Sequence, residues 1–181
     1  MAISIRIKEL DKGPHRQRAA LDTDWCAADL GGAYTPAAEQ LVVNVRATRA
    51  GTVIEVVAEV RGGFRFACSR CAAPADLEVE TEFTHHFVTA GSLDQGDVGD
   101  RPFEADPDIS EHDGDQIQLR DLCIEHTILA LPSYPLCDET CKGLCGACGV
   151  NLNEETCNCA QQVDPYSPWA VLAKLETEPS S

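Results

Sequence analysis

The sequence predicts an α+β fold: an antiparallel sheet of about four to five strands, two short helices and a cysteine-rich C-terminal segment. Three observations carry that expectation. Alternating apolar residues recur through residues 1–89, helical periodicity starts only after residue 116, and six cysteines crowd residues 137–159. With 181 residues, 44% of them hydrophobic, the chain can bury one core. It reads as a single domain over 1–176 with a disordered tail at 177–181.

Ile3, Ile5 and Ile7 fall on one side and Ser4, Arg6 and Lys8 on the other, the period-two signature of a half-buried strand. Residues 11–40 are weakly patterned, contain Gly31, Gly32 and Pro36, and read as mostly loop with a short helix. LVVNVRAT (41–48) alternates again, with Leu41, Val43 and Val45 inward and Asn44 and Arg46 outward. A turn at 49–51 leads into TVIEVVAEVR (52–61), where Ile54, Val56, Ala58 and Val60 share a face, so the two runs form a hairpin. Gly62-Gly63 reads as a bulge in a long strand. LEVETEFTHHFV (77–88) sets Leu77, Val79, Phe83 and Phe87 against Glu78, Glu80 and Glu82, which leaves Cys68-Ser69-Arg70-Cys71 at a hairpin tip.

Residues 90–116 hold nine acids and the single base Arg101, among Gly91, Gly96, Gly99, Gly114, Pro102 and Pro107. That composition predicts a flexible acidic insertion. The remaining span, 117–176, comprises a helix, the cysteine segment and a C-terminal helix. The first helix is LRDLCIEHTILAL (119–131), amphipathic and stopped by Pro132. The second starts at Ser167-Pro168, Ser as N-cap and Pro in the first position, with Trp169, Val171, Leu172 and Leu175 apolar.

Charge is divided unevenly. Residues 1–71 carry ten Lys/Arg against eight Asp/Glu, whereas 72–181 carry four against twenty-two, for a net −16 over the chain. Bulk attraction to nucleic acid is excluded, because phosphate binding depends on Lys/Arg displacing counterions. A local basic face can still form from Arg6, Lys8, Lys12, Arg16, Arg18, Arg46, Arg49, Arg61, Arg65 and Arg70. The acidic half suits a basic partner such as a ribosomal protein, or simply keeps the chain soluble. The N-terminus, MAISIRIKELDKG, has no apolar run of signal-peptide length, and no stretch approaches a membrane span. The expectation is a soluble, cytoplasmic protein with no membrane partner.

In a reducing compartment, cysteines at motif spacing argue for metal ligands or redox chemistry rather than disulfides. Eight of the ten fall into close pairs: Cys68 and Cys71, Cys137 and Cys141, Cys145 and Cys148, Cys157 and Cys159. A tight turn between two cysteines puts both sulfurs on one coordination sphere, and Cys145-Gly-Ala-Cys148-Gly149 has the make-up of a zinc knuckle. Eight thiolates fill two tetrahedral sites. Two structural zinc ions are therefore expected, neither with an open position for a substrate. The favoured assignment joins Cys157 and Cys159 to Cys145 and Cys148, and Cys137 and Cys141 to Cys68 and Cys71. Its rival joins Cys137 and Cys141 to Cys145 and Cys148, leaving Cys157 and Cys159 to close on the sheet.

A redox-switch chaperone or thiol oxidoreductase uses similar pairs, but no strand–CxxC–helix context accompanies them here. Iron–sulfur ligation needs the same donors, and the glycine-rich knuckle favours zinc. Cys26 and Cys123 read as packed thiols, His126 as a half-buried helix residue, and His85 and His86 as strand residues on opposite faces. No phosphate-cradling loop or paired carboxylates stand out, so the chain reads as no enzyme and as having no small-molecule substrate.

The order CSRC, an ILALP helix end, Cys-x3-Cys-x-Gly-Leu-Cys-x2-Cys-Gly, NLN and a closing SPWAVLAKL resembles the YceD-like family, the large ribosomal RNA subunit accumulation proteins, formerly a domain of unknown function. The resemblance spans roughly 1–176 and departs at Ala147, where proline is expected, and in the Asp-rich insertion. It implies a non-enzymatic role in synthesis, processing or stability of 23S rRNA, with the large-subunit pre-ribosome, 23S rRNA or a basic ribosomal protein as partner.

Overall fold

The computed structural model describes residues 3–91, 108–112 and 114–159. β1 (Ser4–Arg6) buries Ile5 and runs into a single helical turn, α1 (Ile7–Leu10), so Ile7 opens the turn instead of extending the strand. β2 (His15–Asp22) follows, then α2 (Cys26–Asp29) and β3 (Tyr34–Pro36). The long strands are β4 (Gln40–Ala50), β5 (Val53–Ala67) and β6 (Pro74–Thr89). β7 (Ile109–His112), β8 (Gln116–Gln118) and α3 (Arg120–Ala130) complete the described elements.

These make an α+β fold around a six-stranded sheet ordered β2-β4-β5-β6-β7, with β3 also on β5. All its pairings are antiparallel except β6–β7. β1 and β8 form a separate antiparallel pair. The inner face (Leu41, Val43, Val45, Val56, Val60, Phe64 and Phe83 among others) is buried with Ile3, Ile5, Ile117, Leu119 and Ile124 in one core. α3 packs across β5 and β6.

The sheet is larger than the four or five strands expected, and the extra strands lie where alternation is muted. β2 falls in the stretch read as loop. It is an edge strand whose inner positions are His15, Gln17, Ala19 and Leu21, only one of them strongly apolar. β7 and the start of β8 lie within 90–116 and are three or four residues long, too short to impose a pattern. The rest of that insertion, 92–107, and the C-terminal helix expected at 167–175 lie outside the described residues.

Gly62-Gly63 is not a bulge. The register against β6 runs unbroken from Arg61↔Glu80 through Phe64↔Leu77. β4 leaves one edge of β5 at Arg61, and β3 takes over the same edge at Phe64. The glycines serve this exchange of neighbours: a Cβ on Gly62 would collide with the Leu41 side chain, and one on Gly63 would come within 3.2 Å of Ala37 Cβ.

Candidate metal centre

The β5–β6 hairpin carries Cys68–Cys71 at its tip, and the chain after α3 is drawn back onto that tip. Tyr34, seated against Phe64 and Phe66, donates its hydroxyl to the Pro132 carbonyl. Ser69 N–H donates to Pro135 O at 2.9 Å. Cys137 and Cys141 are thereby delivered beside Cys68 and Cys71. In a second, more open group, Cys145 and Cys148 meet Cys157 and Cys159.

Within each tetrad the four sulfurs lie within 4.8 Å of one another. Cys68 and Cys141 Sγ are 3.8 Å apart, and Cys71 and Cys137 Sγ 3.6 Å. A disulfide needs about 2.05 Å. Four sulfurs tetrahedrally placed about 2.3 Å from one metal ion are separated by about 3.8 Å, so these separations fit a mononuclear centre. A multi-iron cluster divides the four cysteines among two or more irons and spreads the sulfurs farther. The donor set suits a soft or borderline divalent ion, zinc foremost.

Backbone N–H groups support the thiolates. Arg70 N–H points at Cys68 Sγ at 3.4 Å. Amides of Cys137 and Cys71 hold the Cys68 thiol down to about 6, and amides of Cys148 and Ala147 hold Cys145 down to about 6. The partners move the other way. Cys137, hydrogen-bonded to Cys68 and Cys71, is pushed up to about 12, and Cys159 beside Cys148 likewise. Each group ionises once easily and then resists, which is what close thiolates do without a cation among them.

The groups are joined by side chains that spacing arguments missed. Asn153, on the loop of the second tetrad, donates Nδ2 to Cys141 Sγ of the first at 3.3 Å and accepts from Lys142 N–H at 2.7 Å. Asn151 Oδ1 accepts from that same Nδ2 at 2.8 Å. Leu144 N–H donates to Arg70 O, and Leu152 N–H to Gly143 O. The Arg70 guanidinium reaches Cys141 O at 2.9 Å. An Asn-x-Asn directly behind a knuckle was the available signal for this brace.

The remaining candidates stand apart from the tetrads. Cys26 and Cys123 are buried, and burial pushes their thiols up to about 11 and about 12. His85 is a core residue facing Ser110 Oγ at 2.8 Å, while His86 lies 3.9 Å from Glu55. The His126 ring stacks on Phe83. Among the described residues, no helix is long and apolar enough to cross a membrane.

Fold and site define a mostly antiparallel α+β domain bearing two cysteine tetrads that could each bind a metal ion. The family model of the large ribosomal RNA subunit accumulation protein YceD matches residues 56–176, well over half of the chain. This chain belongs to that family. It is 32% identical over 108 residues to uncharacterized proteins of Mycobacterium tuberculosis and Mycobacterium bovis, covering 60% of this chain and 48% of theirs. It is 42% identical over 55 residues to the chloroplastic large ribosomal RNA subunit accumulation protein YCED homolog 1 of Arabidopsis thaliana, covering 30% of this chain and 14% of that one. The chain thus spans about half the length of the mycobacterial relatives it matches. No solved structure matches it.

Proposed function

We propose that this chain is a non-enzymatic, zinc-binding factor of large ribosomal subunit biogenesis that supports synthesis, processing or stability of 23S rRNA in the cytoplasm. Family membership is the observation that carries the reading. In it, residues 1–176 act as one domain. Cys68, Cys71, Cys137 and Cys141 hold one structural zinc, and Cys145, Cys148, Cys157 and Cys159 the other. Four thiolates per ion leave no open position for water or substrate, consistent with a structural metal. The metals' work is to fasten an irregular segment onto a sheet tip as a rigid surface for the pre-ribosome.

Deletion cells test the reading. The expected result is a lowered 23S to 16S ratio and fewer free large subunits on sucrose gradients, restored by the wild-type chain. A redox-switched chaperone is the second reading, favoured by the exposed Cys148 and the low-titrating Cys145 in one tetrad. It requires normal rRNA ratios without stress, with protein aggregation appearing under peroxide.

A further inference from the structure

Of the ten bases in the first 71 residues, the fold pairs four with carboxylates and ties a fifth to a backbone carbonyl. Arg49 pairs with Asp11 at 2.8 Å, Arg61 with Glu80 at 2.9 Å, Arg65 with Asp76 at 3.5 Å and Lys8 with Asp115 at 3.8 Å. Arg70 is turned into the Cys141 carbonyl. Three others, Arg16, Arg18 and Arg46, are brought together on the outer face of the sheet, with no carboxylate in ion-pair reach among the described residues. Arg16 and Arg46 are direct cross-strand partners, and Arg18 lies opposite Asn44 one step along the same face. All three are exposed.

Like charges directly opposite each other weaken a sheet. Charge on an edge strand also guards against edge-to-edge pairing, but a like-charged cross-strand pair costs stability that an anionic partner would offset. Arg16, Arg18 and Arg46 line the β2–β4 side of an open groove of about 520 Å³ that extends across the sheet face to β5 and β6. Glu59 of β5 and Glu82 of β6 also line it. Glu59 is already engaged, one oxygen by Asn44 and the other by Arg61, while Glu82 lies two strands from β4, about 10 Å away. Side chains two residues apart on one strand face repeat at about 6.8 Å, of the order of the spacing between successive phosphates along a nucleic-acid strand. Arginine, moreover, takes phosphate oxygens bidentately.

We propose that the β2–β4 groove binds the phosphate backbone of single-stranded RNA, with Arg16, Arg18 and Arg46 as the phosphate contacts. This deepens the ribosome-biogenesis reading and rests on it for the choice of RNA over an acidic protein. The net −16 opposes long-range attraction, but salt at about 0.15 M screens that repulsion beyond about 8 Å, so binding depends on the charge at the groove itself. The contacts are sequence-neutral, so the groove fixes where RNA lies and leaves selection to other surfaces.

The test is fluorescence anisotropy of the full chain with a labelled mixed-sequence single-stranded RNA, between about 50 and about 200 mM salt. The triple variant R16Q/R18Q/R46Q is expected to lose at least tenfold in affinity, and the slope of log affinity against log salt to shrink by about 2. R61Q/R65Q, which removes paired arginines, should keep wild-type affinity. R46Q alone should bind RNA less tightly without melting earlier, because it relieves the Arg16–Arg46 repulsion. Three results overturn the proposal: no RNA binding by the wild type, equal binding by the triple variant, or preferential binding of polyglutamate through the same arginines. The two readings fail separately. Normal rRNA ratios in deletion cells sink the biogenesis role whatever the anisotropy shows, whereas undiminished RNA binding by the triple variant sinks only this groove.

Discussion

The two cysteine groups are built on the same turn but set in different surroundings. In one, Cys68-Ser-Arg-Cys71 closes with Ala72 N–H donating to Cys68 O at 2.9 Å; in the other, Cys145-Gly-Ala-Cys148 closes with Gly149 N–H donating to Cys145 O at 2.8 Å. The residue after each knuckle is left-handed, Ala72 at φ 58° and Gly149 at φ 75°. The first turn caps a hairpin of two long strands, and three of its four cysteines are buried. The second sits on loops, with Cys148 exposed and the others half-buried. One centre inherits its order from the sheet; the other must supply its own. Centres of identical composition can thus differ in what loses order when the metal leaves.

The largest effect should come from cutting the shared boundary between sheet and segment. Cys68→Ser is expected to remove the first metal and free residues 132–144 from the hairpin tip. It should also loosen the second group, because Leu144 hangs on Arg70 O and Asn153 on Cys141. Structural zinc contributes about 10–16 kcal/mol in small peptides, but here the sheet has its own core, so β4, β5 and β6 should keep their exchange protection. Cys148→Ser should cost one metal and disorder only 145–159. Elemental analysis with hydrogen exchange separates these outcomes. Equal loss of both metals in the two variants would erase the asymmetry between the centres.

Acid should act next, and on both centres. Without metal, the depressed Cys68 and Cys145 thiols contribute stability that is present above their ordinary value of 9.0 and lost as the pH falls through about 6. The raised Cys137 and Cys159 run the opposite way: their contribution is present below 9.0 and lost as the pH rises through about 12. A metal ion must displace those held protons, so its affinity falls as the pH falls. Lowering the pH from about 7.5 to about 5 should release zinc to a chromogenic chelator, the exposed centre emptying faster than the buried one. Simultaneous release would show that burial gives the first centre no advantage.

Asn153→Ala probes the brace between the centres. Removing a hydrogen bond to a ligating atom costs about 10–100-fold in metal affinity. The loss should fall on the first centre although Asn153 sits in the loop of the second, and competition with a calibrated chelator reads it. An equal or larger loss at the second centre would place the residue's role in its own loop.

These expectations show what local pattern could and could not reveal. β4, β5 and β6 were legible because each buries one face over ten or more residues, so alternation repeats often enough to be read. β2 was not, since its inner face is His15, Gln17, Ala19 and Leu21 and its outer face mixes Arg16 and Arg18 with Ala20 and Asp22. Gly62-Gly63 looked like a defect in one strand because the cause lies in two others, whose side chains need the space. The cysteine groups were legible through spacing, a local property, and the favoured grouping is the one in which the sulfurs meet. Asn153 and Arg70 were not, because their targets depend on how the segment docks. Neither was the cluster of Arg16, Arg18 and Arg46, without an ion pair among the described residues, which only strand register produces.

The smallest effect is the most direct test of the shared turn. A left-handed conformation costs a residue with a Cβ about 1–2 kcal/mol, part of which glycine gives back through its freer unfolded chain. Ala72 is the one non-glycine with positive φ among the described residues. Ala72→Gly should therefore stabilise the first knuckle by about 0.5–1 kcal/mol. Gly149→Ala should destabilise the second by a similar amount. A Cβ at Gly149 would meet nothing within 4 Å, so the backbone angle alone sets that cost. Thermal unfolding at fixed excess zinc, read alongside exchange at the two turns, gives both signs. If Ala72→Gly instead destabilises the hairpin tip, the Ala72 methyl has a packing role that outweighs its backbone angle, and the two knuckles are not equivalent turns.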